Sequence, residues 1–239
     1  MVNDALLYAG RRVIVTGAAS GMGASTAEIL VGLGAEVHAI DIDKPEVTGL
    51  ASFTPVDLRE PAQIDDAVAK IGTVVNALFN CAGLPSTFPP LDVMLVNFCG
   101  LRLLTEAVIP LMIEGSSIAS TASTAGIGWM QNLELLLGLL RTPDFAGARN
   151  WCAEHPTELT DSYALSNEAI NAYTALRSFD LAADGVRINC VNPGPTDTPV
   201  PLGRHAIAAQ QAWPLIFLNS PRAASVTGQR LDIDGPADT

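Results

Sequence analysis

The stretch R12-V-I-V-T-G-A-A-S-G-M-G-A-S-T-A-E-I-L30 decides how the rest of the chain is read. It runs from a β-branched apolar segment, through a glycine-rich turn, into a helical pattern. Gly17 permits a tight turn and Gly21 lets backbone approach an anion. Gly23 lets the helix pack closely while its N-terminal amides face that anion. Ser20 and Met22 stand on the same turn. Glycine runs also occur in ordinary turns, but a place between strand and helix is what a phosphate-binding turn requires.

Outward from this stretch the same rhythm continues. Short apolar runs, "RVIVTG", "AEVHAID", "VVNALFNCAG", "SSIASTAS", "VRINCVNPG" and "RLDIDG", alternate with helical patterns. The helices are expected near 22–33, 61–70, 92–113, 162–183 and 206–219. This is the pattern of βαβ units, and it predicts an α/β fold: a single-domain Rossmann-type doubly wound parallel sheet over 1–239, with helices on both faces. No linker or repeat interrupts it. A helical insertion at about 128–160, containing "NLELLLGLLRTPDFAGARNWCAEHPTEL", reads as two amphipathic helices before Tyr163. An insertion at that edge of a parallel sheet lies where ligands bind; the alternative expectation is an oligomer contact or extra core cover.

Composition removes several function classes. An apolar share of 49% is ample for one core. A net charge of −12 with only Lys44 and Lys70 as lysines repels nucleic acid and anionic membrane alike. The uncharged run from Gly115 to Leu133 is full of Ser, Thr and Gly and makes a poor membrane span. The opening "MVNDALLYAGRRVIV" lacks the order of a signal peptide, so a cytoplasmic protein is expected. Cys81, Cys99, Cys152 and Cys190 show neither a CxxC motif nor a His at ligand spacing. Spacing therefore suggests no metal and no redox pair, only buried thiols. His38, His155 and His205 are scattered among unlike contexts.

Asp41 closes the second strand eighteen residues after Gly23. A carboxylate there accepts hydrogen bonds from both ribose hydroxyls of an adenosine and repels a 2′-phosphate, which favours NAD(H) over its phosphorylated form. The bland alternative is a strand-end turn residue.

Taken together, these residues resemble the short-chain dehydrogenase/reductase family over nearly the whole chain. The motifs run in order: the glycine turn at 16–23, "VDL" at 56–58, "NCAG" at 80–83, Asn97 in "LVNFCG", "STAG" at 123–126, Tyr163, "NPGPTDT" at 192–198, and "VTGQRLDIDG". The insertion makes the pattern most similar to the 3α-hydroxysteroid dehydrogenase/carbonyl reductase branch. The resemblance implies that Asp57 and Leu58 border an adenine, and that Asn80, Ala82 and Gly83 line the cofactor cleft. It implies that Pro193, Gly194, Thr196 and Thr198 hold the nicotinamide. Tyr163 would exchange the proton of the substrate oxygen, Ser123 would hydrogen-bond that oxygen, and Asn97 would anchor a water in a proton relay. A homodimer or homotetramer is also implied.

Two departures stand out. The family motif is Tyr-x-x-x-Lys, and here Asn167 takes the place of the lysine. The spacing puts both side chains on one helix face, so Asn167 can still reach a ribose hydroxyl but supplies no charge. An ordinary phenol is about one part in a thousand ionised at pH 7, a penalty of roughly 4 kcal/mol on alcohol oxidation. Carbonyl reduction suffers differently, because a neutral phenol is already the acid it needs. The second departure is the short segment 199–225, where the family usually carries a longer substrate cover. The sequence thus predicts an NAD(H)-dependent oxidoreductase for a hydrophobic secondary alcohol or ketone, steroid-like or alicyclic, impaired through Asn167. The rival expectations are a non-catalytic nucleotide-binding or scaffolding member of the fold, and a non-redox use of the Ser and Tyr.

Overall fold

The computed structural model describes residues 6–194 and 208–233. Seven strands form one parallel sheet: β1 (Arg12–Thr16), β2 (Glu36–Asp41), β3 (Ser52–Pro55), β4 (Val75–Asn80), β5 (Met112–Thr121), β6 (Arg187–Pro193) and β7 (Arg230–Ile233). Their order is β3-β2-β1-β4-β5-β6-β7, so the chain reverses direction across the sheet between β1 and β4. In open sheets of this kind the crevice for a ligand opens at that switch point, outside the carboxyl ends of the strands.

Strand β1 shows why both faces must be covered. Val13, Ile14 and Val15 are all fully buried, and the period-two geometry of a strand sends them to opposite sides. Ile14 joins a core with Ile40, Leu78, Ile118 and Ile188. Val13 and Val15 join the other with Val37, Phe79, Ala119 and Val191. Helix α1 (Gly21–Gly32) covers the second core and α2 (Pro61–Ile71) the first. The chain then enters α3 (Pro90–Met94), a π-helical segment Leu95–Gly100 and α4 (Leu101–Val108). Beyond β5, a 3₁₀ segment Thr124–Met130 leads into the insertion, α5 (Leu133–Leu140) and α6 (Phe145–Glu154), and then to α7 (Ser162–Ala182). Finally α8 (Ala208–Asn219) packs against α1.

The two insertion helices stand where the amphipathic pattern put them. Asp144 starts α6 by accepting a hydrogen bond from the Gly147 amide at 2.7 Å. Three elements differ from expectation. Strand β3 lies at the sheet edge with half-buried residues, so "SFTP" carries no run of core-facing positions to read. The helix expected over 92–113 begins at Pro90, is widened by the π segment and ends at Leu111, with Pro110 in its last turn. Strand β5 begins at once, at Met112.

Two glycine contacts fix the sheet edge on which everything else is mounted. Gly17, at φ +68°, places its missing side chain 2.7 Å from the Ala82 amide nitrogen. A Cβ on Gly23 would stand 2.0 Å from the Gly17 carbonyl oxygen. Both obstacles are backbone and cannot swing aside. Gly23→Ala is therefore expected to lower unfolding stability by about 3 kcal/mol in urea titration, the upper end for overpacking a close contact. Gly32→Ala, where nothing lies within 4 Å, is the matched control and should be near neutral.

Candidate active site

A groove of about 490 Å³ runs along the carboxyl ends of β1, β2 and β4. Gly17, Ser20, Gly21 and Met22 form one wall, Asp41 and Asp57 another, and Ala82 and Gly83 the third. Ser20 is the N-cap of α1 but its side chain makes no capping bond, so the first-turn amides are left facing the groove. Gly21, at φ +54°, has open space where a side chain would project. Asp41 accepts from the Ala19 amide at 2.8 Å and the Asp43 amide at 3.0 Å. It therefore ties the end of β2 to the glycine turn, and each oxygen retains a lone pair toward the groove.

The third wall is hung from Thr16, whose hydroxyl accepts from the amides of Cys81 and Ala82 at 3.0 and 3.1 Å. The Cys81 thiol on this wall is pushed up to about 12 by burial. Asp57 is clamped by Arg59, which donates Nε at 3.0 Å and Nη2 at 2.7 Å to its two oxygens. Those bonds hold the Asp57 carboxyl below its ordinary range. Arg59 reaches Asp92 as well, and it lines the groove. Sequence reasoning missed it, although it stands directly after "VDL".

Asn80 corrects an expectation. Its side chain points into the protein, donating to Thr105 Oγ1 at 3.0 Å and Ser120 Oγ at 3.2 Å. It is 2% exposed and braces β4 against α4 and β5, with the cleft left to its successors. Alternation along the strand places it so, since Phe79 before it faces one core and Leu78 the other.

A second pocket of about 250 Å³ shares the rim Cys81–Leu84 with the groove and is closed by Asn97, Thr121, Ala122, Tyr163, Asn167 and Ile170. Tyr163 stands in the first turn of α7, below an Asp161 cap that accepts from the Ala164 amide at 3.1 Å. Asn97 lies in the π segment and grips Leu84 on both sides: Oδ1 accepts from its amide at 2.7 Å and Nδ2 donates to its carbonyl at 3.0 Å. A weaker bond of 3.4 Å reaches Ser166. The Asn97 side chain thus builds the pocket rim. Ser123 caps the following 3₁₀ segment, accepting from Ala125 at 3.2 Å. It stands beside the pocket-lining Ala122, and among the described residues no hydrogen bond joins it to Tyr163.

Asn167 is 4% exposed and turns its amide back to donate to the Tyr163 carbonyl at 2.7 Å. A second N–H and Oδ1 remain on this side chain, which lines the Tyr163 pocket. Polar side chains in helices commonly satisfy this i−4 carbonyl. One turn on, the two Nδ2 hydrogens of Asn171 are shared among the Asn167 carbonyl, the Gly126 carbonyl and Asn192 Oδ1, each 3.1 Å away. Nothing in the sequence marked Asn171, yet it joins the Ser123 loop, α7 and β6. Pro193 ends β6, and the Gly194 amide donates to Ile233 at 2.9 Å, bringing β6 onto β7. Thr196 and Thr198 lie outside the described residues.

A glycine turn and a strand-end carboxylate on one side of a shared rim, with a tyrosine pocket on the other, stand together at the carboxyl edge of this α/β scaffold. Residues 11–133 match the short chain dehydrogenase family, and the chain belongs to it. It is 30% identical over 244 residues to a coniferyl-alcohol dehydrogenase of a Pseudomonas species, covering 94% of this chain and 95% of that one. It is also 30% identical over 252 residues to the 3-alpha-hydroxysteroid dehydrogenase/carbonyl reductase of Comamonas testosteroni, covering 95% and 96%. Among solved structures, the 3-alpha-hydroxysteroid dehydrogenase of Pseudomonas sp. B-0831, complexed with NADH, superposes with a TM-score of 0.75 at 28% identity, covering 93% of this chain and 94% of that one.

Asn171 is fully buried, so removing its side chain strands the Asn192 oxygen and the Gly126 carbonyl without their donor. Asn171→Ala is expected to cost about 3 kcal/mol in urea unfolding, with amide hydrogen exchange accelerating first in 123–126.

Proposed function

We propose that this chain is an NAD(H)-dependent oxidoreductase interconverting a hydrophobic secondary alcohol and its ketone, with turnover restrained by Asn167. The observation that carries the reading is the rim shared by the groove and the Tyr163 pocket, because it sets a nucleotide and a small substrate side by side. The groove fits the dinucleotide: uncapped α1 amides and open space at Gly21 suit its pyrophosphate, and Asp41 suits a ribose without a 2′-phosphate. When bound, the nicotinamide supplies and accepts hydride. Ala82, Gly83, Pro193 and Gly194 would border it.

Within the pocket, Tyr163 gives its phenolic proton to a ketone oxygen and takes it back from an alcohol. Ser123 donates to that oxygen as charge develops, which asks the 3₁₀ segment to move its hydroxyl over the rim. Asn97 keeps Leu84, and so the pocket mouth, in place. Leu84, Pro85, Ala122 and Ile170 give the pocket an apolar side opposite its polar groups, in keeping with a steroid-like, alicyclic or aryl alcohol. The phenolate form lacks the ammonium that the family motif supplies, so oxidation should suffer more than reduction.

Asn167 also favours a second reading, a nucleotide-binding member that has lost the reaction, because its amide brings no positive charge to the Tyr163 pocket. We place either protein in the cytoplasm as a homodimer or homotetramer. Exposed Trp213 and Phe217 on α8 and Leu231 on β7 offer one apolar face, and Leu176 and Phe179 on α7 another.

Three measurements decide. Calorimetric titration with NADH should show binding, and Asp41→Ala should weaken it about tenfold, or roughly 1.4 kcal/mol, while narrowing the preference over NADPH. No NADH binding by the unsubstituted chain would overturn both readings. Nicotinamide absorbance, followed with a panel of cyclic ketones and alcohols, should show Asn167→Lys raising alcohol oxidation by about two to three orders of magnitude and reduction by less. Binding without turnover in either chain would instead establish the non-catalytic reading.

A further inference from the structure

We propose that Glu168 is a positioning residue: through Asn132, at the start of the insertion, it sets where the segment after Ser123 lies beside the Tyr163 pocket. Its effect on turnover rests on the oxidoreductase reading. Helix α7 carries two stripes of side chains. Tyr163, Asn167 and Ile170 recur at three- and four-residue spacing and line the pocket. Glu168 is set about 100° around the helix from Asn167, and Asn171 follows it at three-residue spacing. This second stripe meets the 3₁₀ segment Thr124–Met130. One helix thus holds both the phenol and the segment that Ser123 caps.

The grip on that segment is a clasp of two side chains. Glu168 is 7% exposed, and among the described residues no cation pairs with it. Its two oxygens accept from Asn132 Nδ2, at 3.1 and 2.8 Å. A buried carboxylate with one donor group holds that donor firmly, because losing it leaves a charge without compensation. Asn132 occupies the N-cap of α5 yet makes no capping bond with its side chain, although Asn is well suited to one. Its amide goes to Glu168 instead. Backbone bonds carry the clasp toward Ser123: the Asn132 amide donates to the Trp129 carbonyl at 3.2 Å and the Gln131 amide to the Gly128 carbonyl at 2.9 Å. Gly128 lies against the carboxylate itself, where a Cβ would stand 3.3 Å from Glu168 Oε1. The Gly126 amide completes the chain by donating to the Ser123 carbonyl at 2.9 Å.

Ser123 has to bring its hydroxyl over the rim, so its reach depends on where the segment is pinned. Asn171 pins the middle at Gly126, and the Glu168–Asn132 clasp pins the far end. Asn171 also bonds to Asn192 on β6 and so serves the sheet as well. The Glu168 side chain bonds to Asn132 alone, so removing it loosens the segment and spares the sheet. The insertion thereby acts on the site although none of its residues lines the Tyr163 pocket.

The test measures amide hydrogen exchange in 124–130 and steady-state reduction of a cyclic ketone by NADH. The whole chain and its Asn167→Lys version each carry Glu168→Ala, Asn132→Ala, both changes, or Glu168→Gln. Each alanine change should quicken exchange in 124–130 about tenfold and lower kcat about tenfold, with KM for NADH unchanged. The pair should do no more than the stronger single change, because both act through one contact. Glu168→Gln keeps the length and can both accept from and donate to the Asn132 amide, so it should hold both readouts near their starting values. Asp144→Ala, which uncaps α6 and leaves the clasp intact, should leave exchange in 124–130 as it was. Exchange unmoved by either alanine, a pair whose effect multiplies the singles, or equal quickening from Asp144→Ala would each overturn the proposal. So would an unchanged kcat in a chain that turns over. If no chain turns over, the oxidoreductase reading falls, and the exchange pattern alone decides whether Glu168 holds the segment. Asn132 is exposed, so its variant carries the test where Glu168→Ala does not fold.

Discussion

Everything at the carboxyl edge of the sheet hangs on a place where two backbones occupy the space of a side chain. Gly17 touches the Cys81–Ala82 peptide and Gly23 sits on the Gly17 carbonyl. With those contacts made, β1 and β4 lie side by side at their ends, α1 begins with its amides free, and the groove has both floor and wall. Thr16 and Asp41 then only have to secure what the glycines allow, one by accepting two amides and the other by bonding back across the turn. Satisfied backbone holds this edge together, and the Asp57–Arg59 pair closes its outer wall.

Across the rim the logic changes from shape to charge. Helix α7 presents Tyr163, Asn167 and Asn171 at successive turns, and both asparagines donate to the carbonyl one turn back. The helix face toward the pocket is therefore electrically quiet. Its packing is not compromised: Gly126 lies against the Asn167 backbone so closely that a Cβ would be 2.6 Å from its carbonyl carbon. The fold accommodates Asn at this position through its backbone contact with Gly126 and its bond to the Tyr163 carbonyl.

Much of this was legible in the sequence, for identifiable reasons. "RVIVTG" and "VRINCVNPG" are continuous apolar runs because both faces of a parallel strand are covered, and glycine betrays its backbone contacts by being the only residue that fits. What stayed hidden depends on partners far along the chain. "SFTP" is an edge strand whose pairing with β2 supplies the only sign of it. Asn80 belongs to a cleft motif, yet strand alternation turns it toward Thr105 and Ser120. The bonds of Asn171 and Glu168 exist only once α7 and the insertion are in place. Arg59 was readable as a cation but not as the clamp on Asp57.

The π segment Leu95–Gly100 has a consequence for how this helix tolerates change. One surplus residue in a turn rotates everything after it by about 100°, so the stretch before and the stretch after address different neighbours. Asn97 can face Leu84 while Leu101 and Leu104 face the core because the phase slips between them. Gly100 permits the slip to happen against neighbouring backbone, where a Cβ would stand 2.3 Å from the Leu58 carbonyl. The helix thus behaves as two reading frames joined in one rod. Deleting a single residue within the bulge would restore a regular spiral, and would set the rim and the core competing for the same side of it.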